Sequence, residues 1–374
     1  METPEKNPFD ERLADLAGAV RRCRLDALFV FGEANIRALT GLVCDNGCLI
    51  VYPAAKGRNA VSRPPVFITD FRYIPMAHRV APWLETVEQL KGKGLAETAQ
   101  QVLKKARVSV ARLGFERAIS AGRYLELQKL FKKATLVESE DEVLNLRAVK
   151  TVDEMMKIAA AEKLNDEIWR LAQKEFKYGM TEKTMQRIIR AYMNELGDGE
   201  AFETIVCAGA NAAECHHVPD ETVWKKGEPL LVDMGVKLEG VCADMTRCIK
   251  PKKGCTSCAI DEYEKIYNIV LEANRAGIAA AKPGMTGREL DKVARDLITK
   301  AGYGPAFGHS LGHGVGYEIH ELPTASTRCT MVLKPGMLVT IEPGIYLEGK
   351  LGVRIEDLIL ITSTGCEVLS HSKK

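Results

Sequence analysis

The sequence has almost no net charge. Its 374 residues include 52 Lys and Arg against 50 Asp and Glu, which leaves a formal charge of +2 at pH 7. A protein that grips a nucleic-acid backbone or an anionic membrane surface by electrostatics carries a clear excess of basic residues. We therefore expect neither nucleic acid nor a membrane as a partner, and a small or neutral substrate fits the composition better.

Long apolar runs are also missing. No stretch approaches the roughly 20 apolar residues that are needed to cross a bilayer. The first ten residues, METPEKNPFD, lack the apolar segment of a signal peptide. On these grounds we expect a cytoplasmic protein.

Cysteines number eleven, so at least one is unpaired within the chain. Two local patterns, Cys44 with Cys48 and Cys255 with Cys258, are each half of what a four-thiolate zinc site needs. Their spacings differ, and roughly two hundred residues separate them, which makes one shared zinc site a poor fit. In a reducing compartment we expect thiols rather than disulfides or a structural zinc.

The length is sufficient for two globular domains with substantial cores. In the first 147 residues, strand-like and helix-like patterns alternate, which predicts a compact α/β domain with a mixed sheet. The pattern predicts helices over 12–24, 94–107 and 124–133, and strands over 26–31, 48–52, 66–69 and 108–115. We place the domain boundary near Arg147.

After this boundary the pattern changes. Thr151 has Glu154 three residues on, a capping box that opens a long helix towards Lys177. Further helices are predicted at 181–195, 261–281 and 286–301, with strand-rich runs between and after them. Strands and helices in blocks predict an α+β domain on a largely antiparallel sheet over 148–374.

Four acidic residues stand inside apolar, strand-like segments: Asp233 in LLVDMG, Asp244 in VCADMTR, Glu342 in VTIEPGIY and Glu356 in VRIEDLIL. A carboxylate on a hydrophobic strand is costly to bury unless it is paired or bound to a cation. Each one alone is explained by a salt bridge to Arg or Lys, or by an exposed edge position. Four of them together demand a common explanation.

Five of the seven histidines lie in two short segments, ECHHVPD and FGHSLGHGVGYEIHE. They are His216, His217, His309, His313 and His320. The glycines around His313, and the absence of Glu after His309, argue against a helical HExxH metal motif. Positions four apart share a face of a strand, so we expect His309 and His313 to face one cavity. The glycines let the backbone approach a metal or a substrate closely.

Crowded together, the four carboxylates would repel one another and raise one another's pKa. Two divalent cations supply four positive charges and cancel them, and a neutral imidazole from His313 would add a fifth ligand. Two cations about 3.5–4 Å apart share a bridging water, lower its pKa and hold the hydroxide for attack on a carbonyl. The residues therefore indicate a hydrolase.

The motifs VDMG, ADMTR, GHGVG, IHELP, TIEPGIY and GVRIED, in this order, resemble those of the creatinase/prolidase/methionyl-aminopeptidase superfamily of pita-bread metallopeptidases. Within it the chain most resembles the Xaa-Pro aminopeptidases and Xaa-Pro dipeptidases. The resemblance implies an α+β pita-bread catalytic domain, with a curved antiparallel sheet flanked by helices, at residues 148–374. It extends over DALFVFGEANIRALTG and FITDFRY, which implies an N-terminal α/β creatinase-type domain at residues 1–147, serving as scaffold and dimerisation surface.

The resemblance also assigns the metal ligands as Asp233, Asp244, His313, Glu342 and Glu356, with Asp244 and Glu356 bridging two divalent ions. All five positions are filled, which disfavours the metal-free creatinases and the interaction proteins that keep the fold and lose ligands. Oxygen-rich coordination with one imidazole favours hard cations, so we expect Mn²⁺, with Zn²⁺ or Co²⁺ as alternatives.

His216, His309 and His320 match the substrate-side histidines of the family, which steady the scissile carbonyl and the developing oxyanion. Glu342 would also act as the acid/base group, accepting a proton from the bridging water and passing it to the leaving nitrogen. Adjacent residues on an extended chain point apart, so His217 is not expected to serve the same site as His216.

Two arginines adjoin these motifs, Arg247 and Arg354. Arg354 lies two residues before Glu356 and shares its face on a strand, so it is expected to anchor a substrate carboxylate or to brace a ligand. The alternative is an ordinary strand arginine that pairs with a surface acid. The role of Arg247 is less defined.

The resemblance implies cleavage after a single N-terminal residue when proline follows, in dipeptides, longer peptides or both, by a homodimer. An Xaa-Pro bond is a tertiary amide without an N–H, so its recognition requires a dedicated pocket. Two alternatives stay open: a methionyl aminopeptidase, which shares the ligands, and a catalytically silent interaction protein on the same fold.

Overall fold

In the computed structural model, the described residues are 9–55, 62–251 and 258–374, without the side chains of 258–260. The chain forms two compact units, Met1–Arg147 and Ala148–Lys374. Each has its own apolar core, so each is described by itself.

The first unit is built on a six-stranded mixed sheet in the order β4-β3-β2-β1-β5-β6. The strands are β1 (Ala27–Val30), β2 (Gly47–Val51), β3 (Val66–Thr69), β4 (Glu85–Glu88), β5 (Arg112–Phe115) and β6 (Thr135–Glu138). The helices are α1 (Asp10–Arg22), α2 (Glu33–Thr40), α3 (Ile74–Val80), α4 (Leu95–Lys105), α5 (Ala121–Leu130) and α6 (Glu140–Ala148). Strands β1, β2 and β3 pair antiparallel, whereas β1–β5, β5–β6 and β3–β4 are parallel, which confirms the predicted mixed α/β sheet.

The central strands of this sheet are buried on both faces. In β1 all four residues are buried, and so are all five in β2. This is why both read as continuous apolar runs in the sequence. The outer strands β4 and β6 are short and polar, ETVE and TLVE, so they carried no strand signal.

The described residues of the second unit form four α-helices: α7 (Val152–Glu175), α8 (Glu182–Leu196), α9 (Cys258–Ala280) and α10 (Gly287–Lys300). Helix α7 begins at the predicted capping box, since the Thr151 hydroxyl accepts from the Glu154 N–H and the Glu154 carboxylate accepts from the Thr151 N–H. Thr286 and Glu289 repeat this arrangement at the start of α10.

Every strand pair in the described part of the second unit is antiparallel. The strands are β7 (Ile205–Ala208), β8 (Leu230–Met234), β9 (Lys237–Leu238), β10 (Val241–Cys242), β11 (Met245–Ile249), β12 (Gly312–Gly314), β13 (Glu321–Ala325), β14 (Leu338–Ile341), β15 (Gly344–Leu347), β16 (Leu351–Arg354), β17 (Asp357–Ile361) and β18 (Cys366–Val368). Strands β11-β8-β7 and β14-β17-β18 form three-stranded sheets, and the others pair as two-stranded ribbons. This agrees with the predicted α+β class.

Strand β12 requires its two glycines. A Cβ on Gly312 would lie 1.8 Å from the Thr340 carbonyl oxygen, and one on Gly314 would lie 2.3 Å from that of Leu322. Only a residue without a side chain permits such close packing. The GHG sequence therefore brings the backbone of His313 against β14.

The nine cysteines whose side chains are described are all free thiols, as expected. Cys44 and Cys48 are buried in the first unit, and the Cys44 thiol contacts the Thr69 hydroxyl at 3.3 Å. The Cys255–Cys258 pattern lies outside the residues with described side chains. Among the helices that the structure describes, none is both long enough and apolar enough for a membrane span.

Candidate metal centre

One cavity of about 680 Å³ in the second unit collects the predicted site residues. All nine line it: Asp233, Asp244, His313, Glu342, Glu356, His216, His309, His320 and Arg354. Other parts of its wall come from Phe202, Glu203, Ile205, Cys215, Gly308, Ser310 and Ile319. Residues up to 140 positions apart in the sequence therefore meet at one place, from His216 near the 3₁₀ turn Gly209–Ala213 to Glu356 beside β17.

Three of the four carboxylates stand at strand ends rather than within strands. Asp233 lies on β8, but Asp244 immediately precedes β11, Glu342 follows β14, and Glu356 lies between β16 and β17. These four positions converge because β8 and β11 pair directly, as do β14 and β17. Junctions between strands let a carboxylate turn out of the apolar sheet face towards the cavity.

The His313 imidazole is aimed at two of these carboxylates. Its Nε2 lies 3.3 Å from Glu342 Oε1 and 3.5 Å from Asp244 Oδ2. Its Nδ1 lies 3.0 Å from the Gly314 carbonyl, the partner that an Nδ1–H requires. Burial lowers the pKa of His313, which favours the neutral ring with its Nε2 lone pair towards carboxylate oxygens. The lone pair and the carboxylate oxygens repel one another, and a cation between them would relieve this repulsion.

A compact triad marks the centre of the cavity. Ligand atoms of Asp244, His313 and Glu356 all lie within 4.8 Å of one another. Asp244 and Glu356 are both almost fully buried. Such spacing among two carboxylates and an imidazole suits a divalent cation.

Asp233 is held from one side by Arg354. The guanidinium Nη2 donates to Asp233 Oδ2 at 2.7 Å, while the other oxygen, Oδ1, is buried and has no hydrogen-bond partner. A buried carboxylate oxygen without a partner is costly. An oxygen in this state is suited to coordinate a metal ion. The donor set is therefore compatible with a metal site.

Two threonines orient the two glutamates. The Thr340 hydroxyl donates to Glu342 Oε1 at 3.1 Å and accepts from the His313 N–H at 3.1 Å. The Thr246 hydroxyl donates to Glu356 Oε2 at 2.8 Å and accepts from Arg354 Nε at 3.0 Å. Each hydroxyl thus helps to orient one carboxylate of the cavity.

Asp244 is held through its backbone. Its N–H donates to Glu162 Oε2 at 3.0 Å, and the other oxygen of Glu162 accepts from the Ser370 hydroxyl at 2.7 Å. Glu162 lies on α7 and is fully buried. Helix α7 and the C-terminal segment therefore both support the position of Asp244.

The cavity is strongly acidic without a cation. Five carboxylates, those of the four predicted ligands and of the exposed Glu203, face a single guanidinium, that of Arg354, among the described lining residues. Burial raises the pKa of Asp244 and of Glu356, and in both groups the neighbouring carboxylates raise it further. Burial also raises the pKa of Glu342, although Arg354 opposes this effect. Bound cations would neutralise the negative charge of these carboxylates.

His309 is linked to Arg354 through Tyr346. Tyr346 Oη lies 2.9 Å from His309 Nε2 and accepts from Arg354 Nη1 at 2.8 Å. His309 Nδ1 faces the Ser310 carbonyl at 2.8 Å. Burial, aided by the charge of Arg354, lowers the pKa of His309 to about 4, so this ring is neutral at physiological pH. His309 lies before β12 rather than on a strand, yet it shares the cavity with His313 as expected.

The other two histidines of the wall lie near the opening. The ring of His320 meets that of His313 edge to face at a centroid distance of 4.4 Å. His216 is exposed, whereas its neighbour His217 is buried with its Nε2 2.8 Å from Glu182 Oε2. The two adjacent side chains therefore point apart, and His217 does not line the cavity.

Arg247 does not line the cavity either. It is buried and donates from Nη2 to Asp357 Oδ1 at 2.9 Å, and from Nη1 to the carbonyls of Thr246 and Glu356. It therefore supports the backbone of two residues at the site. Arg354, by contrast, lines the cavity and donates to Asp233. This contact corresponds to one of the two roles expected for it, that of bracing a metal ligand.

Sequence reasoning did not single out four residues of this network. They are Thr246, Thr340, Tyr346 and Glu162. Thr246 lies inside the motif ADMTR and Tyr346 inside TIEPGIY, so the motifs could have indicated both residues. Glu162 shares the buried face of α7 with Ile158, and an acid on such a face was the available signal.

Comparison with known proteins agrees with this geometry. Two family models match the chain: Metallopeptidase family M24 over residues 156–363, and the Creatinase/Prolidase N-terminal domain over residues 12–149. The chain belongs to metallopeptidase family M24. It is accordingly a metallo-exopeptidase, and its family implies divalent metal ions.

Relatives of this M24 chain resemble it over nearly their whole length. Uncharacterized peptidase YqhT of Bacillus subtilis (strain 168) is 34% identical over 366 residues, which cover 97% of this chain and 98% of the relative. The structure of an Xaa-Pro dipeptidase from Bacillus anthracis matches with a TM-score of 0.88 at 33% identity, covering 98% of both chains. An X-Pro aminopeptidase from Thermotoga maritima MSB8 matches with a TM-score of 0.81 at 30% identity, covering 95% of this chain and 98% of the other. The pita-bread catalytic domain and the creatinase-type N-terminal domain are thereby confirmed.

Proposed function

We propose that this M24 peptidase depends on two divalent metal ions and releases the N-terminal residue from peptides or dipeptides with proline at the second position. The observation that carries the proposal is the convergence of the predicted ligands and histidines on one cavity, with the ligand atoms of Asp244, His313 and Glu356 within 4.8 Å of one another. The structural neighbours from B. anthracis and T. maritima, an Xaa-Pro dipeptidase and an X-Pro aminopeptidase, support the substrate class.

Five side chains would hold the two ions: Asp233, Asp244, His313, Glu342 and Glu356. By resemblance to the family, Asp244 and Glu356 are proposed as the bridging carboxylates; both are almost fully buried, and their ligand atoms lie within 4.8 Å of each other. The donor set is rich in oxygen with one imidazole, which favours Mn²⁺, with Zn²⁺ or Co²⁺ as alternatives. When bound, the cations supply charge neutralisation and a water molecule of lowered pKa for attack on the carbonyl.

The surrounding groups would orient the substrate and move protons. His216 and His320 are proposed to steady the scissile carbonyl and its developing negative charge. Glu342 would accept a proton from the attacking water and pass it to the proline nitrogen as the bond breaks. His309 and Arg354, joined through Tyr346, would form the substrate-side wall, with Arg354 also fixing Asp233.

The substrate assignment is tested with three peptides. Protein loaded with Mn²⁺ is incubated with Ala-Pro, Ala-Pro-Ala and Met-Ala-Ser, and the products are identified by mass. We expect release of alanine from at least one of the two proline peptides and an intact third peptide. Cleavage of Met-Ala-Ser alone would identify a methionyl aminopeptidase instead.

Metal content separates the enzyme from an interaction protein. We expect uptake of about two divalent ions per chain, measured by elemental analysis after dialysis, because four carboxylates need this compensation. Protein that takes up no divalent ion and cleaves none of the peptides would be a silent interaction protein on this fold.

The role of His320 has its own test. The His320→Ala variant should keep its metal and lose turnover by about 10²-fold, because the ring would act on the carbonyl rather than on the ions. Loss of metal in this variant would make His320 a ligand.

Oligomeric state and compartment complete the proposal. A homodimer is expected by resemblance to the family, and size-exclusion chromatography with light scattering tests it. The cytoplasmic location expected from the sequence is tested by fractionating cells and assaying each fraction for the protein.

A further inference from the structure

The segment that carries His216 is fastened to a fully buried carboxylate. Glu182 is the first residue of α8 and has no exposed surface. Its Oε1 accepts from the Ala208 N–H at 2.6 Å and from Asn211 Nδ2 at 3.0 Å. Its Oε2 accepts from His217 Nε2 at 2.8 Å and from the Asp220 N–H at 3.1 Å. One side chain thus joins residues on both sides of His216.

These contacts are those of a hydrogen-bonded junction. Ligand atoms of Glu182, His217 and Asp220 lie within 4.8 Å of one another, a spacing that metal sites also use. Each carboxylate oxygen of Glu182 already receives two N–H groups, which satisfies its lone pairs. Asp220 Oδ1 is likewise used, accepting from the Thr222 N–H at 2.6 Å. The cluster therefore holds the chain rather than an ion.

The same segment has a second attachment on the other side of His216. The Cys215 carbonyl accepts from Arg354 Nη1 at 3.5 Å, and Arg354 also binds Asp233. His216 therefore stands between two fastened neighbours, Cys215 towards the metal-site arginine and His217 towards Glu182. Its own side chain lines the cavity.

We propose that Glu182 and His217 are positioning residues that hold His216 at the cavity and so set the rate of peptide cleavage. This inference rests on the proposed function, because it assumes that His216 acts on the scissile carbonyl. A catalytic group displaced by about 1 Å costs on the order of 10²-fold in rate. We expect such a displacement when His217, one of the two anchored neighbours of His216, loses its hydrogen bond to Glu182.

A double-mutant cycle tests the proposal with metal-loaded protein and the peptide that the wild type cleaves fastest. His217→Leu removes the donor to Glu182 at similar volume and should lower kcat by at least about 10-fold, with metal content unchanged. In the His216→Ala background the same change should cost less than about 2-fold. Equal losses in both backgrounds would overturn the proposal, because His217 would then act independently of His216.

Two further variants separate positioning from general damage. His217→Gln keeps a donor towards Glu182 and should retain kcat within about 3-fold. Lys183→Ala, next to Glu182 on α8, removes an exposed ion pair with Glu221 at 3.4 Å and should leave kcat unchanged. If His217→Gln is as slow as His217→Leu, the hydrogen bond to Glu182 is not the cause.

A measurement without turnover keeps this test distinct from that of the proposed function. Hydrogen exchange should become at least about 10-fold faster at the Ala208 and Asp220 amides in His217→Leu than in wild type. Both amides donate to Glu182, and the variant removes a third donor that holds this carboxylate in place. Unchanged exchange would overturn the positioning role. Failure of the wild type to cleave either proline peptide would overturn the proposed function alone.

Discussion

Arg354 donates to one oxygen of Asp233 at 2.7 Å, while the other oxygen of the same carboxylate is buried without a hydrogen-bond partner. Arg354 also donates to Tyr346 and Thr246, so its position is set by several groups. The guanidinium donates to the three partners from three separate nitrogens in a rigid plane, whereas an ammonium has one nitrogen. The arginine thus fixes one oxygen of Asp233, and the other is free of hydrogen bonds, as the proposed metal ligand requires.

Arg354→Lys should therefore weaken divalent binding and slow turnover, each by about 10–100-fold, because Asp233 loses its fixed orientation. Isothermal titration with Mn²⁺ and steady-state kinetics measure the two effects. Arg170→Lys, at an exposed pair with Glu167, is the control and should change neither. Wild-type affinity in Arg354→Lys would show that Asp233 does not need this brace.

Asp244→Asn and Glu356→Gln should each abolish hydrolysis and metal retention together. Each removes a charged ligand at nearly constant volume, and each residue is proposed to bridge both ions. We expect divalent affinity to fall by at least about 10²-fold, measured by titration and by metal content after dialysis. Asp296→Asn, an exposed carboxylate paired with Lys292, is the control. Near-normal turnover in either variant would refute the ligand assignment.

Thr340→Val should lower divalent affinity by about 10-fold, because Glu342 loses the hydroxyl that orients it. The same change leaves the buried His313 N–H without its acceptor, at a cost of about 1–3 kcal/mol in the free energy of unfolding. Thr340→Ser keeps the hydroxyl and is the matched control. Equal metal affinity in the valine and serine variants would remove the threonine from the site.

The pH dependence of stability should carry a contribution from His309. Burial lowers the pKa of this residue to about 4 from an ordinary value near 6.5. The unfolded chain therefore takes up the proton first, and stability present above pH 6.5 is lost as the pH falls towards 4. This contribution is on the order of 1–3 kcal/mol.

His309→Gln, which does not titrate, isolates this effect. Urea unfolding of both proteins at pH 7.5 and pH 4.5, with excess chelator at both values, gives the two changes in unfolding free energy. The wild type should lose more stability between these pH values than the variant. An equal loss in both proteins would mean that His309 does not enter folding in the neutral form.

Much of the fold was predictable from local patterns. The buried strands β1, β2 and β3 read as apolar runs, and α7 begins at the Thr151–Glu154 capping box. The helices α2 and α3 and the polar edge strands β4 and β6 were not predicted. Short elements and edge strands depend on the neighbours that they pack against, so their own residues carry a weak signal.

The site was predictable in its members but not in its geometry. Acids in apolar segments and clustered histidines selected side chains that do line one cavity. The strand argument for His309 was wrong, because β12 begins only at Gly312. Thr246, Thr340 and Tyr346 are neutral polar residues of ordinary type, and what distinguishes them is contact with distant partners: Glu356, His313 and His309, respectively.

The sequence by itself determined the chemistry of this protein: an oxygen-rich donor set with one imidazole, near charge balance, and two domains' length. These follow from which residues are present and from their spacing. The tertiary structure decided which oxygen of Asp233 is fixed by Arg354 and which is buried without a hydrogen-bond partner. It also decided that His217 turns inward to Glu182 while His216 meets the cavity. These side-chain orientations depend on hydrogen bonds between residues far apart in the chain. Such partners meet only when the sheets and helices have packed.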